Sequence, residues 1–299
     1  MNSKIEILSR IKEIYNNGEN IISFLKKINK QKNNCIEDIL ISYDFQAGSY
    51  IKFANENVDF INRYTSLISE EIKQLDVEIN TILEVGVGEA TTLASLIQNL
   101  NLNNINFFGF DISWSRVFYG KQHLKEKKIN NVKLFTADLF SIPFDDNSID
   151  VVYTSHSLEP NGGREIEALK ELFRVTNKYL ILLEPAYEFA DDESKKRMEF
   201  HGYVKNLVHY SNELGFNVIE NRLFELSSNY LNPTQIIIIE KNINKKTNIN
   251  FYCPITKTVL KSGDGYYFTT EGLLTYPIIK NIPCFLPQNA IVTTHLNDF

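Results

Sequence analysis

Apolar positions recur at helical spacing through the first quarter of the chain. Ile5, Leu8, Ile11, Ile14 and Tyr15 form one stripe, and Ile21, Phe24, Leu25 and Ile28 form a second. Asn17-Gly18 is the break between them. The segment YDFQAGSY at 43–50 follows, then a longer helical pattern to about Leu75. Stripes of this kind are core-facing surfaces, so 1–78 is predicted to be a helical cap or lid. From Thr81 the texture changes. Short aliphatic runs at 81–85, 105–110, 132–136, 149–153, 179–183, 216–226 and 235–240 alternate with amphipathic stretches at 90–100, 114–127, 164–174 and 191–214. This alternation predicts an α/β fold, a doubly wound and mostly parallel seven-stranded sheet over 79–242. Only a Ser- and Asn-rich stretch separates the last two runs, which predicts an antiparallel hairpin. Residues 241–250 are polar and charged and read as a linker. Short strand-like pieces and turn signals then predict a small β-rich appendage over 249–299.

Charge narrows the function classes. Lys and Arg number 31 against 37 Asp and Glu, a net charge of -6, so nucleic acid is an unexpected partner. The three cysteines, Cys35, Cys253 and Cys284, are too few and too far apart for a disulfide framework, which fits a cytoplasmic protein. The longest aliphatic run, 236–239, is too short to span a bilayer. The N-terminus lacks the continuous apolar core of a secretory signal.

The sharpest local feature is ILEVGVGEATTL at 82–93. An aliphatic strand ends in Glu84-Val85-Gly86-Val87-Gly88 and a helix starts at once. Glycines allow a tight turn and let the backbone approach a ligand, and the helix N-terminus offers free N–H groups. The next strand ends in Asp111, and in nucleotide-binding folds an acid about 20 residues on accepts hydrogen bonds from ribose hydroxyls. Thr91 occupies the third glycine position of a dinucleotide fingerprint, so that fingerprint fails. Glu84 and Glu89 flank the turn. They would repel a pyrophosphate and attract a ligand carrying an ammonium and a sulfonium. S-adenosyl-L-methionine is such a ligand.

Here the chain resembles the class I S-adenosylmethionine-dependent methyltransferases. The stretch ADLFSIPFDDNSIDVVYTSHSLEP at 137–160 is similar to that of the ubiquinone/menaquinone-type enzymes. The resemblance covers roughly 80–240. It implies Glu84, Gly86, Gly88 and Glu89 around the methionyl part of the cofactor, Asp111 on the ribose, and Asp138 with Leu139 at the adenine. Ala90 replaces the family's third glycine, and Pro160 replaces a His after Leu-Glu.

Methyl transfer needs a nucleophile aligned with the sulfonium methyl, and a base only where the acceptor must lose a proton. Ligands of open α/β sheets sit beyond the carboxyl ends of the strands. Ser155, His156 and Glu159 follow one such strand. His156, with an ordinary pKa of about 6.5, is the candidate base, and Glu159 its orienting partner. Asn161, Glu184, Tyr187 and His201 are candidates for the acceptor side, and Arg197 and Tyr203 with His201 could reach an anionic group. Gln46 and Tyr50, in the predicted lid, are candidates for the methionine carboxylate or for shielding the sulfonium.

The appendage resembles a zinc-ribbon-like activator domain of certain methyltransferases. That pattern carries two Cys-x-x-Cys pairs. Here Cys253 stands alone, with Thr256 at its partner's position and the second pair falling near Thr269 and Gly272. Zinc needs four ligands, so no metal is expected and apolar packing must hold the segment. The function predicted is methylation, on O or N, of a small polar metabolite. By resemblance only, this is a sugar or nucleotide-sugar of bacterial surface-glycan synthesis. The alternatives are a protein or nucleic-acid methyltransferase with its activator fused, and a non-catalytic cofactor-binding module. Self-association through the N-terminal helices or the appendage is compatible with these readings.

Overall fold

The computed structural model describes residues 7–29, 35–102, 104–241, 249–296 and 298. The expected stripe residue Ile5 and most of the expected linker, 242–248, lie outside them. Five helices open the chain: α1 (Leu8–Asn16), α2 (Ile21–Asn29), α3 (Ile36–Phe45), α4 (Ser49–Glu56) and α5 (Val58–Lys73). The α/β part follows as β1 (Thr81–Val85), α6 (Thr91–Leu100), β2 (Asn106–Asp111), α7 (Trp114–Glu126), β3 (Val132–Thr136) and β4 (Ile149–Ser155). It continues with α8 (Glu165–Val175), β5 (Thr176–Pro185), α9 (Asp192–His201), α10 (Leu207–Glu213), β6 (Asn217–Leu223) and β7 (Thr234–Glu240).

These seven strands form one sheet in the order β3-β2-β1-β4-β5-β7-β6. β1 to β5 run parallel, and β7 is antiparallel to both β5 and β6. Consecutive side chains leave a strand on opposite faces. Along β1, Ile82 therefore packs with Tyr64, Ile68, Leu93 and Val117 of α5, α6 and α7. Leu83 and Val85 pack on the other face with Leu169 and Leu172 of α8 and Leu207 of α10. The order reverses between β1 and β4, and such a switch point opens a crevice at the carboxyl edge.

The expected cap contains two different parts. α5 is a layer helix of the main core. α1 and α2 pack with α3 through Ile11, Ile21, Leu25 and Ile41. The expected single helix over 191–214 is two. Gly202 caps α9 in the left-handed region at φ 71°, and Asn206, also left-handed at φ 58°, precedes α10.

After the described residues resume, β8 (Leu260–Ser262), β9 (Tyr266–Thr269), β10 (Leu274–Ile279), β11 (Ile282–Pro283) and β12 (Ile291–Val292) make a small antiparallel sheet. This segment shares the main core. Phe251 lies 5.1 Å from Phe135 and 5.3 Å from Phe144 between ring centroids, and Cys253, Leu260, Tyr276 and Phe285 are buried in the same cluster. The Phe285 N–H donates to the Thr136 carbonyl at 2.8 Å, so the segment also covers the edge beside β3. Tyr266 and Ile278, by contrast, are only half-buried. Local hydrogen bonds stand at the positions where the resemblance would put the thiol pairs. The Thr256 N–H donates to the Cys253 sulfur at 3.3 Å, and the Thr269 hydroxyl accepts from the Leu273 and Leu274 N–H groups. Among the described residues, no group of three or more His, Cys, Asp or Glu is placed to hold a metal ion, and no helix is long and apolar enough to cross a membrane.

Candidate active site

A cleft of about 600 Å³ opens at the carboxyl ends of β1, β2 and β4, beneath α3 and α4. That volume is in the range of small-molecule and cofactor sites. Gly86 and Asp111 line its floor. Gly86 has φ 71°, and a Cβ there would fall 2.2 Å from the Ser157 Cβ, so only glycine lets the turn and the segment after β4 meet. Gly88 lies beside this turn, with the ring of Tyr50 3.1 Å from where its Cβ would stand. Asp111 accepts from the Gly88 N–H at 3.1 Å and from the Ser113 N–H at 2.9 Å. Each oxygen therefore keeps a lone pair for the cleft. Burial raises the pKa of Asp111 against these bonds and the nearby Arg116 charge. Ala90, at the third glycine position, is left-handed at φ 54°, a conformation that costs L-residues about 1–2 kcal/mol.

Asp138, Leu139, Ser155, His156, Glu159, Asn161 and Tyr50 all line the cleft. Asp138 accepts from the Phe140 N–H at 2.9 Å, and burial pushes its pKa up. The Ser155 and Tyr64 hydroxyls are 2.9 Å apart.

Other expected residues do not line it. Glu89 is fully buried. It accepts from the Gly48 N–H at 2.9 Å and the Ile51 N–H at 2.8 Å, and pairs with Arg116 at 3.2 Å. It anchors α4 and does not face a cationic ligand. Glu84 lies buried beneath the floor, and burial lifts its pKa to about 8. Glu184 is buried behind the loop after β4, accepting from the N–H groups of Ser157, Leu158 and Glu159 at 3.1–3.2 Å. Gln46 caps α3, its amide donating to the Ser42 hydroxyl at 2.9 Å. Tyr187 donates to Glu199, and His201 stacks on Tyr203 at 5.4 Å.

His156 is not a free base. Its Nδ1 is 2.8 Å from Glu159, and its Nε2 is 2.8 Å from the Thr234 hydroxyl. Burial alone would lower its pKa, but the bond and charge of Glu159, with the charge of Glu184, raise it. The Glu159 carboxylate thus makes the imidazole more basic, while its other nitrogen is engaged by the Thr234 hydroxyl. Glu159 also accepts from the Asn232 amide at 2.8 Å and from the Tyr203 hydroxyl. These donors outweigh burial and keep its pKa low.

Sequence reasoning did not assign a place in the site to Tyr43, Arg116 or Asn232, which also line the cleft. They come from α3, α7 and the β6–β7 loop, with no motif to mark them. The guanidinium of Arg116 lies over the rings of Tyr43 and Tyr50, at 5.1 and 3.9 Å.

The family described as methyltransferase domain matches residues 82–178, the span from β1 to the start of β5. The chain carries a class I methyltransferase domain. A demethylmenaquinone methyltransferase of Geobacillus sp. (strain WCH70) is 29% identical over 114 residues, 38% of this chain and 48% of that one. The chain thus matches about half the length of this curated relative. Among solved structures, the 4+2 cyclase SpnF superposes with a TM-score of 0.50 at 17% identity, over 61% of this chain and 81% of that one. A chain of the Haloferax volcanii complex between the Trm112 methyltransferase activator and a methyltransferase also gives 0.50, at 14% identity, over 66% and 96% of the two chains. These likenesses show the fold of the methyltransferase domain. The cofactor of such a domain is S-adenosyl-L-methionine.

Proposed function

We propose that the protein transfers the methyl group of S-adenosyl-L-methionine to a small polar acceptor. The observation that carries this is the cradle at the switch point. Gly86 leaves no room for a side chain, and the two oxygens of Asp111, held by Gly88 and Ser113, keep lone pairs for two ribose hydroxyls. The buried Ser157 hydroxyl beside Gly86 has no hydrogen-bond partner among the described residues and adds a polar contact there. Asp138 would accept from the adenine amino group, and Leu139 would pack on the ring. When bound, the cofactor supplies an electrophilic methyl on sulfur. The chain's contribution is alignment and exclusion of water by the lid residues Tyr43 and Tyr50. Both ring nitrogens of His156 are engaged, so this reading favours an acceptor atom that is nucleophilic without prior proton removal, or one that passes its proton to water.

The acceptor end carries amides from Asn161, Asn229 and Asn232 and the ring of Tyr203. Amides and aromatic faces together suit a hydroxyl-rich molecule, which supports the sugar or nucleotide-sugar reading. The deciding experiment is calorimetric titration with S-adenosylhomocysteine. Asp111→Ala, shown folded by circular dichroism, should lose at least about tenfold in affinity, since hydrogen bonds to a charged group contribute about 1.5–3 kcal/mol each. Equal affinity in the variant would overturn the cofactor assignment.

A further inference from the structure

The acceptor end of the cleft is unevenly satisfied. Glu159 is matched by three donors: His156 Nδ1 and Asn232 Nδ2, both at 2.8 Å, and the Tyr203 hydroxyl. Arg197, from the middle of α9, lines the same cleft. Its guanidinium lies over the Tyr203 ring at 5.6 Å and bonds the Tyr203 hydroxyl, and no ion pair engages it among the described residues. Its Nη1 is buried with no hydrogen-bond partner. Arginine cannot shed its proton, so this N–H cannot be relieved by titration. A buried unpaired donor costs about 1–3 kcal/mol, and more when charged. Asn232 shows the complementary gap: its amide nitrogen is spent on Glu159, while its Oδ1 is buried and unpartnered.

We propose that Arg197 receives an oxyanion of the acceptor, a phosphate or a carboxylate, while Asn232 Oδ1 accepts from a hydroxyl or amine of the same molecule. This rests on the methyltransferase reading and names the substrate class for it. The guanidinium fork matches two oxygens of such a group, as ammonium does not. Glu159, which shares the Tyr203 hydroxyl with Arg197, is itself held by His156 and Asn232, so its repulsion of an anion is muted. Arg197 fixes the acceptor's charged end, leaving the other end to meet the methyl above Gly86.

The test is titration of the full chain with inorganic phosphate and, separately, with acetate. Each is run with and without S-adenosylhomocysteine, at ionic strength matched with chloride, and followed by the amide NMR shifts of residues 197–203 and 232. Wild type should saturate with a dissociation constant in the millimolar range. Arg197→Met should weaken this at least tenfold. Arg197→Lys should keep part of it, and both variants should keep the wild-type affinity for S-adenosylhomocysteine. Saturation by phosphate only identifies a phosphorylated acceptor, by acetate only a carboxylated one, and by both the shared oxyanion chemistry. No saturation, or saturation unchanged in Arg197→Met, overturns the proposal. Failure of S-adenosylhomocysteine to bind would instead strike the methyltransferase reading, and the anion titration without it would still decide the role of Arg197.

Discussion

Arg116 and Glu89 form an ion pair of 3.2 Å with side chains only 1% and 0% exposed. It ties three elements together. Arg116 sits in the first turn of α7, Glu89 in the turn before α6, and both hold the α3–α4 segment: Arg116 Nε donates to the Tyr43 carbonyl, and Glu89 takes two N–H groups at the start of α4. Asp44 adds a second clasp, accepting from the Ser113 and Ser115 hydroxyls at 2.7 and 2.9 Å. Removing one partner of a buried pair costs about 3–5 kcal/mol, because the other charge is stranded. Glu89→Ala should therefore lose about that much in urea denaturation, and should also be cleaved faster by protease within α3 and α4. Glu89→Leu combined with Arg116→Met should recover part of the loss. A single variant within about 1 kcal/mol of wild type would mean the α3–α4 segment is held elsewhere.

The glycine turn gives a second test. Gly86→Ala meets two obstacles, a left-handed backbone at φ 71° and a Cβ 2.2 Å from that of Ser157. The first costs about 1–2 kcal/mol and the second requires the chain to move. The variant should melt lower and bind S-adenosylhomocysteine at least tenfold more weakly. Adding Ser157→Gly removes the steric part only, so it should restore some stability and leave the backbone cost. Full recovery in the double variant would show that φ at this position is unimportant.

Legibility in the sequence followed locality. The turn from β1 into α6 and the acid at the end of β2 are set by neighbours within a few residues, and both were readable. The charges were misread because their partners are distant. Glu89 looked like a lure for a cationic ligand, but Arg116, 27 positions on, consumes it. Glu184 looked like an acceptor-side acid, yet three N–H groups of the loop at 157–159 turn it inward. His156 and Glu159 were correctly paired, three residues apart. What they lacked was Thr234 and Asn232 from the β6–β7 hairpin, which take the free imidazole nitrogen and a carboxylate oxygen. Tyr203 emerged from a break in a pattern that read as one continuous helix.

Burial of two glutamates makes stability depend on pH. The pKa of Glu84 rises from an ordinary 4.5 to about 8 and that of Glu184 to about 7, both chiefly through burial. A carboxyl whose folded pKa is raised stabilises fully below its unfolded value, and the benefit fades as pH climbs through the folded value. The protein should accordingly lose stability between about pH 4.5 and 8. Glu84→Gln mimics the neutral acid. It should lie within about 1 kcal/mol of wild type at pH 5 and exceed it at pH 9 by up to about 5 kcal/mol, given about 1.4 kcal/mol per pKa unit. Melting curves at the two pH values decide this. A constant difference between the proteins would show that Glu84 is ionised throughout.

The His156–Glu159 contact makes the last prediction. Burial favours the neutral ring, while the Glu159 bond and charge favour the imidazolium and win, so the folded pKa lies above the ordinary value near 6.5. The stabilisation from this pair is complete below that ordinary value and is lost as pH rises through the folded one. Imidazole proton or nitrogen shifts followed by NMR should therefore titrate above 6.5 in wild type. Glu159→Gln removes the dominant opposing term and leaves burial, so the midpoint should fall below that of free histidine. The same substitution should leave S-adenosylhomocysteine affinity within a few-fold, because Glu159 faces the acceptor end. A wild-type midpoint below 6.5 would show that burial outweighs the bond and charge of Glu159.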